Sequence, residues 1–170
     1  MIARIALAGL LLAAGCQQVV EPVLEEPSED TRGQVQRYVF GTTQGEELSA
    51  EGMRGRVTAL VFVTTFDLAS QVAAKQLNQA LHRHRPRINA GAVVLEAPKY
   101  APLADVFRTS LDLSYPVAIA DLAMLRQNST LGEVRSVPTL IVFDAQGREV
   151  WRWSGAFSSE DLDSWLTRAR

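Results

Sequence analysis

Hydrophobic and polar positions change their period several times along this chain. Val57 to Thr65 carries Val57, Leu60, Val61, Phe62 and Val63 in a nearly unbroken apolar run, the pattern of a strand buried on both sheet faces. After Asp67, Leu68, Ala69 and Ser70 the spacing becomes helical. Val72, Ala73, Leu77, Ala80, Leu81 and His84 recur every three or four residues as far as Pro86, which predicts a helix capped near Asp67 and stopped by the proline. Ala90 to Leu95 predicts a second buried strand, Leu103 to Leu111 a short helix, and Pro116 to Ala120 a small strand. Helix signals return over Leu122 to Gln127. Leu140 to Phe143, the turn residues Asp144 to Gly147, and Arg148 to Trp153 predict a hairpin. Ser158 or Ser159 caps a last helix, with Glu160 and Asp161 in its first turn, Leu162, Trp165, Leu166 and Ala169 in one stripe, and Arg168 at its end; cap, dipole and core face agree.

Upstream, Arg37 to Phe40 predicts a short strand, Thr42 to Gly45 a turn, and Leu48 to Met53 a segment leading to a turn at Arg54 and Gly55. Strands alternate with helices and the series closes with a hairpin and a helix. The fold class is therefore α/β or α+β, a central mixed β-sheet flanked by helices.

The N-terminus follows a different pattern. Arg4 precedes the apolar run Ile5 to Gly15, which ends at Cys16, the only cysteine in the chain. A basic start, a short apolar core and small residues before a cut describe an export leader over residues 1–15, too short for a spanning helix. Ala13, Ala14, Gly15 and Cys16 together resemble the lipobox of bacterial lipoproteins. That resemblance implies a diacylated Cys16 thiol, cleavage before it, acylation of its new amine, and an attachment to the membrane, the family's palmitate-bearing anchor. Gln17, in place of Asp, resembles lipoproteins of the Gram-negative outer membrane, implying a periplasm-facing domain. An ordinary signal peptide, or an apolar first helix of a cytosolic protein, is the competing reading.

Composition narrows the rest. With 170 residues, 47% hydrophobic and 21% charged, one globular domain is expected. The 17 basic and 19 acidic residues give a formal net charge of −2. Five of the acids, Glu21, Glu25, Glu26, Glu29 and Asp30, fall in residues 17–30, which hold no Lys or Arg and include Pro22 and Pro27. That stretch buries too little apolar surface to offset its ordering entropy, so residues 16–36 are expected to form a flexible acidic tether, with the domain over 37–170. No basic surface suited to nucleic acid is evident.

Four segments, in order, resemble the thioredoxin fold and its TlpA-like periplasmic disulfide-reductase branch, over roughly residues 38–170. Arg54 to Phe66 resembles the strand before the active site, Tyr115 to Val117 the third-strand region, Val134 to Thr139 the cis-proline loop, and Ile141 to Arg148 the closing hairpin. Where that family carries Trp-Cys-x-x-Cys, this chain has Phe66, Asp67, Leu68, Ala69 and Ser70. Thiol–disulfide exchange and peroxiredoxin-type chemistry both start from a thiolate, which neither a carboxylate nor a hydroxyl replaces. Asp67 suits the position for another reason, because a helix N-terminus offers its unpaired N–H groups and positive dipole end to any anion.

The resemblance also implies that residues around Val137 and Pro138 face an extended peptide. The candidate binding residues are accordingly Phe66, Asp67 and Ser70 on one loop and Val137, Pro138 and Thr139 on the other. A cis turn kept for the fold alone is the competing reading. The basic run His82 to Arg87 is expected to offset a helix dipole; His82 and His84, two apart on a helix, make a poor chelate. Trp151 and Trp153 share a strand face and default to the core. Asn128 to Thr130 matches a glycosylation sequon that carries little meaning in a bacterial lipoprotein, and phosphate loops and nucleophile elbows are missing. The expectation is a membrane-anchored thioredoxin-like lipoprotein without redox activity, catalytic residues, metal or cofactor. It is expected to bind an envelope protein or extended peptide. The alternatives are a TlpA-like oxidoreductase using a partner's thiol, an activity centred on Asp67, or a purely structural lipoprotein.

Overall fold

The structure is a computed structural model that describes residues 33–169 and the backbone of residues 23–25. The leader, Cys16 and most of the acidic segment lie outside the described residues. The elements are β1 (Val23–Glu25), β2 (Val39–Gly41), β3 (Glu47–Ser49), α1 (Ala50–Met53), β4 (Val57–Val63), α2 (Leu68–His84) and β5 (Ile88–Val94). They continue with a 3-10 turn (Pro98–Tyr100), α3 (Ala101–Ser110), β6 (Val117–Ile119), α4 (Leu122–Leu125), β7 (Thr139–Phe143), β8 (Glu149–Ser154) and α5 (Ser159–Arg168).

Six strands form one sheet in the order β1-β8-β7-β4-β5-β6. β4, β5 and β6 run parallel, and β7, β8 and β1 are each antiparallel to their neighbours. All seven residues of β4 are buried, as its continuous apolar run requires. Its side chains alternate between two cores. Val57, Ala59, Val61 and Val63 meet Ala73, Leu77, Leu81, Leu162 and Leu166 of α2 and α5, while Leu60 and Phe62 meet Phe40, Leu48, Met124 and Leu131 on the opposite face. This is the period-two division of a sheet covered on both sides.

The β2–β3 hairpin covers the second face closely. A Cβ on Gly91 of β5 would come within 2.9 Å of both terminal carbons of Leu48, so the hairpin's leucine occupies space that glycine leaves open. On the first face the apolar stripe of α5 packs as its sequence spacing anticipates, and Ser158 forms a capping box with Asp161. Trp153 packs on Trp165 with ring centroids 4.8 Å apart and planes tilted by 39°, and Trp151 also packs against that core.

The basic run ending α2 serves packing. Arg83 and His84 both reach Asp163 of α5, at 3.0 and 2.8 Å, while His82 turns to the Ser114 hydroxyl at 3.3 Å. The two histidines therefore point apart. A second charged pair is interior: Arg152 donates from Nε and Nη2 to Glu149 at 2.7 and 2.8 Å, and its Nη2 also donates to the Leu131 carbonyl at 2.6 Å. Both residues are buried, so β8 clamps the loop before β7 through a shared guanidinium.

Two features differ from the sequence reading. Val23–Glu25, inside the expected tether, adds a strand to the β8 edge. Ordered contacts of the main body also start slightly before residue 37, with a bridge from Val35 to Arg148 and with Gln36 buried and bonded through its amide to the Gly147 carbonyl at 2.9 Å. Both gains come from pairing with the distant β7–β8 hairpin, which local composition does not register.

Candidate functional site

Two loops leave the sheet at the same end. β4 pairs with β7 so that Phe62 faces Thr139, which places residues 64–67 beside the turn at Val137 and Pro138. The Val137–Pro138 peptide is cis, and the Pro138 carbonyl accepts from the Gly155 amide at 2.8 Å. The loop after β8 thereby joins the same cluster.

Asp67 is the N-cap of α2, and its Oδ2 accepts from the Ser70 amide at 2.7 Å. Partial burial pushes the carboxyl up, but hydrogen bonds from the Ser70 side chain and the Ser70 and Ala69 amides outweigh it and hold the group below its ordinary value of 3.8. At neutral pH Asp67 is an anion already committed to the helix start, and it holds no proton to donate. Ser70 is fully buried and its hydroxyl accepts from the Thr64 amide at 3.2 Å. Thr139 is also buried, with its hydroxyl donating to the Ser136 carbonyl at 2.7 Å.

The six sequence candidates thus divide by exposure. Ser70, Pro138 and Thr139 are interior, Asp67 and Val137 are half-buried, and Phe66 is 80% exposed. The chemistry-bearing hydroxyls face inward to brace the loops. On the α2 side the outward side chains are apolar: Phe66, Leu68 at 73% exposure, and Val72 one turn along α2.

Beside them lies an apolar groove of about 420 Å³ between α2 and the loop after β8, lined by Leu68, Ala69, Val72, Gln76, Ala156 and Phe157 among others. The Gln76 side-chain oxygen is buried without a hydrogen-bond partner. Sequence reasoning missed both Gln76 and Glu96. Glu96 is buried and its Oε1 accepts from the Thr65 amide at 2.6 Å and the Thr65 hydroxyl at 2.7 Å, so it fixes the loop that presents Phe66. The available signal was an acid immediately after the apolar strand Ala90 to Leu95.

Comparison with known proteins agrees with this architecture. A family model described as a thioredoxin-like domain matches residues 104–170, while no curated protein matches the chain. Among solved structures, a DsbF homologue from Corynebacterium diphtheriae aligns with a TM-score of 0.70 at 14% identity, covering 94% of this chain and 98% of that one. A thioredoxin-family thiol:disulfide interchange protein from Chlorobium tepidum has a TM-score of 0.64 at 20% identity, covering 78% of this chain and 92% of its own. The exposed lipoprotein thioredoxin of Streptococcus pneumoniae has a TM-score of 0.65 at 16% identity, covering 78% and 99%. The chain has the thioredoxin-like fold, with Asp67 and Ser70 at the two positions where the family resemblance would place cysteines.

Proposed function

We propose that this chain is a lipid-anchored protein of the bacterial envelope, facing the periplasm, in which binding has replaced thiol chemistry at the former active-site end. The groove along Leu68 and Val72 would receive an extended segment of a protein partner. The observation that carries this reading is the apolar wall next to exposed Phe66 and Leu68, at a helix start occupied by a capped carboxylate. Apolar surface left in water beside a concave wall is the usual mark of an interaction site. Similarity to exported thiol–disulfide proteins and to an exposed lipoprotein thioredoxin favours the envelope location, and Cys16 would supply the anchor.

Cross-linking in intact envelopes, comparing the wild type with Leu68→Asp, tests the groove. A specific adduct should disappear in Leu68→Asp while the unfolding midpoint stays unchanged; the same adduct persisting in that variant would overturn the reading. The purified domain should not reduce insulin disulfides, and turnover without added thiol would return it to the oxidoreductases. Cys16→Ser should release the protein from membranes.

A further inference from the structure

We infer that β1 holds the domain with its former active-site end down on the bilayer that carries the anchor, so that Phe66, Leu68, Tyr100 and Leu122 rest in the phospholipid interface. This rests on the lipidation of Cys16 proposed above, and it adds which face meets the membrane.

The direction follows from strand register. Val23 pairs with Ser154 and Glu25 with Arg152, Ser154 pairs with Thr139, and Thr139 with Phe62. The chain therefore enters the sheet at the end where β4 delivers Phe66 and then runs away from it. Only six residues separate Cys16 from Val23, a reach of at most about 25 Å even when fully extended. A domain of this size is roughly 35 Å across. Cys16 cannot pass back along the whole domain and beyond its far end, so acyl chains on it enter the bilayer near the end at which β1 begins.

That end is suited to an interface. β4, β5 and β6 are parallel and finish there, and five of the nine exposed large hydrophobics among the described residues follow their last residues: Phe66, Leu68, Tyr100, Leu103 and Leu122. Lys99 lies over the Tyr100 ring at 4.9 Å, an amphipathic pair of the kind found at headgroup level. The carboxylates of Asp67 and Asp121 accept from the Ser70 and Met124 amides of the helices they cap, each at 2.7 Å.

The far end is its opposite in chemistry. Arg54, Arg56, Arg85, Arg87 and Arg148 are exposed there, with Asp144 and Asp163 among them. Electrostatics alone would draw this end to anionic lipid, but the short connection to β1 opposes that orientation. An acyl anchor adds to the membrane affinity of a nearby apolar surface, because the second contact becomes intramolecular. The groove then opens at the membrane surface, and its partners are chains already held there.

The single cysteine makes the test direct. The full chain, processed in a Gram-negative host, is reconstituted into phosphatidylethanolamine/phosphatidylglycerol vesicles with an environment-sensitive fluorophore on Leu122→Cys or, at the far end, Gln146→Cys. Quenching by a lipid-borne quencher should be several-fold stronger at position 122 than at 146, and Leu24→Pro, which breaks the β1 ladder, should abolish most of that difference. Acylated, vesicle-bound protein with equal quenching at both sites, or stronger quenching at 146, overturns the orientation alone. So does a difference that survives Leu24→Pro, or shielding of 122 that needs added envelope protein. Unacylated Cys16, detected by mass, overturns the anchor and the orientation together.

Discussion

At one end of the sheet Phe66 and Leu68 project from the start of α2 with 80% and 73% of their surface exposed. At the other, Arg83 and His84 at the close of the same helix converge on Asp163 and tie α2 to α5. The basic end thus spends charge on holding elements together, while the exposed apolar side chains of the opposite end contribute little to the fold. Large apolar side chains gathered in water beside a concave wall are the surface on which the proposed contact would form.

This contrast can be broken by substitution, and the largest effect is expected at the interior ion pair of β8. Arg152→Ala leaves Glu149 buried and unpaired and should cost about 3–5 kcal/mol in denaturant unfolding. The double change Arg152→Met with Glu149→Leu should recover most of that loss, because the cost lies in the stranded charge. No recovery would mean that the guanidinium's bond to the Leu131 carbonyl dominates.

Asp67→Ala comes next, at about 1 kcal/mol for a lost N-cap. A cost near zero would show that the carboxylate is not the cap, and would reopen an active role for it. Asp67 and Asp163 should also make stability depend on acid. Partial burial pushes each carboxyl up; for Asp67 the hydrogen bonds from Ser70 and Ala69, and for Asp163 those from Arg83 and His84 with their charges, hold it below 3.8. Their contribution is therefore complete above the unfolded value and is lost as pH falls below about 4 and through the depressed folded values. Urea midpoints at pH 7 and pH 3 should differ less in Asp67→Asn than in the wild type.

Asp163→Ala should cost only about 0–1 kcal/mol, because Asp163 and Arg83 are both exposed to solvent and such pairs are weak in water. Smallest of all is Phe66→Ser, expected within about 0.5 kcal/mol of wild-type stability yet lowering membrane or partner engagement. A large loss of stability there would show that Phe66 belongs to the fold and would remove the contrast between the two ends.

Much of the architecture was legible in the chain. The unbroken apolar run of β4, the cap at Asp67, the hairpin about Asp144 to Gly147 and the stripe of α5 are local patterns whose physics is local. The candidate site was legible only as a set of positions. Ser70 and Thr139 read as polar groups available to a ligand, and the structure turns both inward to bond the Thr64 amide and the Ser136 carbonyl. Glu96 drew no reading from the sequence, and it braces Thr65 from 31 residues away.

Local patterns are enough to say which segments become strands and helices, where α2 begins, and that the only cysteine stands at position 16, far along the chain from the helix that thiol chemistry would use. Spacing, capping and the need of a thiolate for disulfide exchange are enough for those conclusions. Contacts between distant segments decided that β1 joins the β8 edge, that Gln76 and Phe157 share a groove, and that Phe66, Leu68, Tyr100 and Leu122 follow the last residues of β4, β5 and β6 while Arg54, Arg56, Arg85, Arg87 and Arg148 lie towards the other end. Those facts depend on strand register and on which elements meet across the sheet, contacts between residues far apart in the chain that no local pattern encodes.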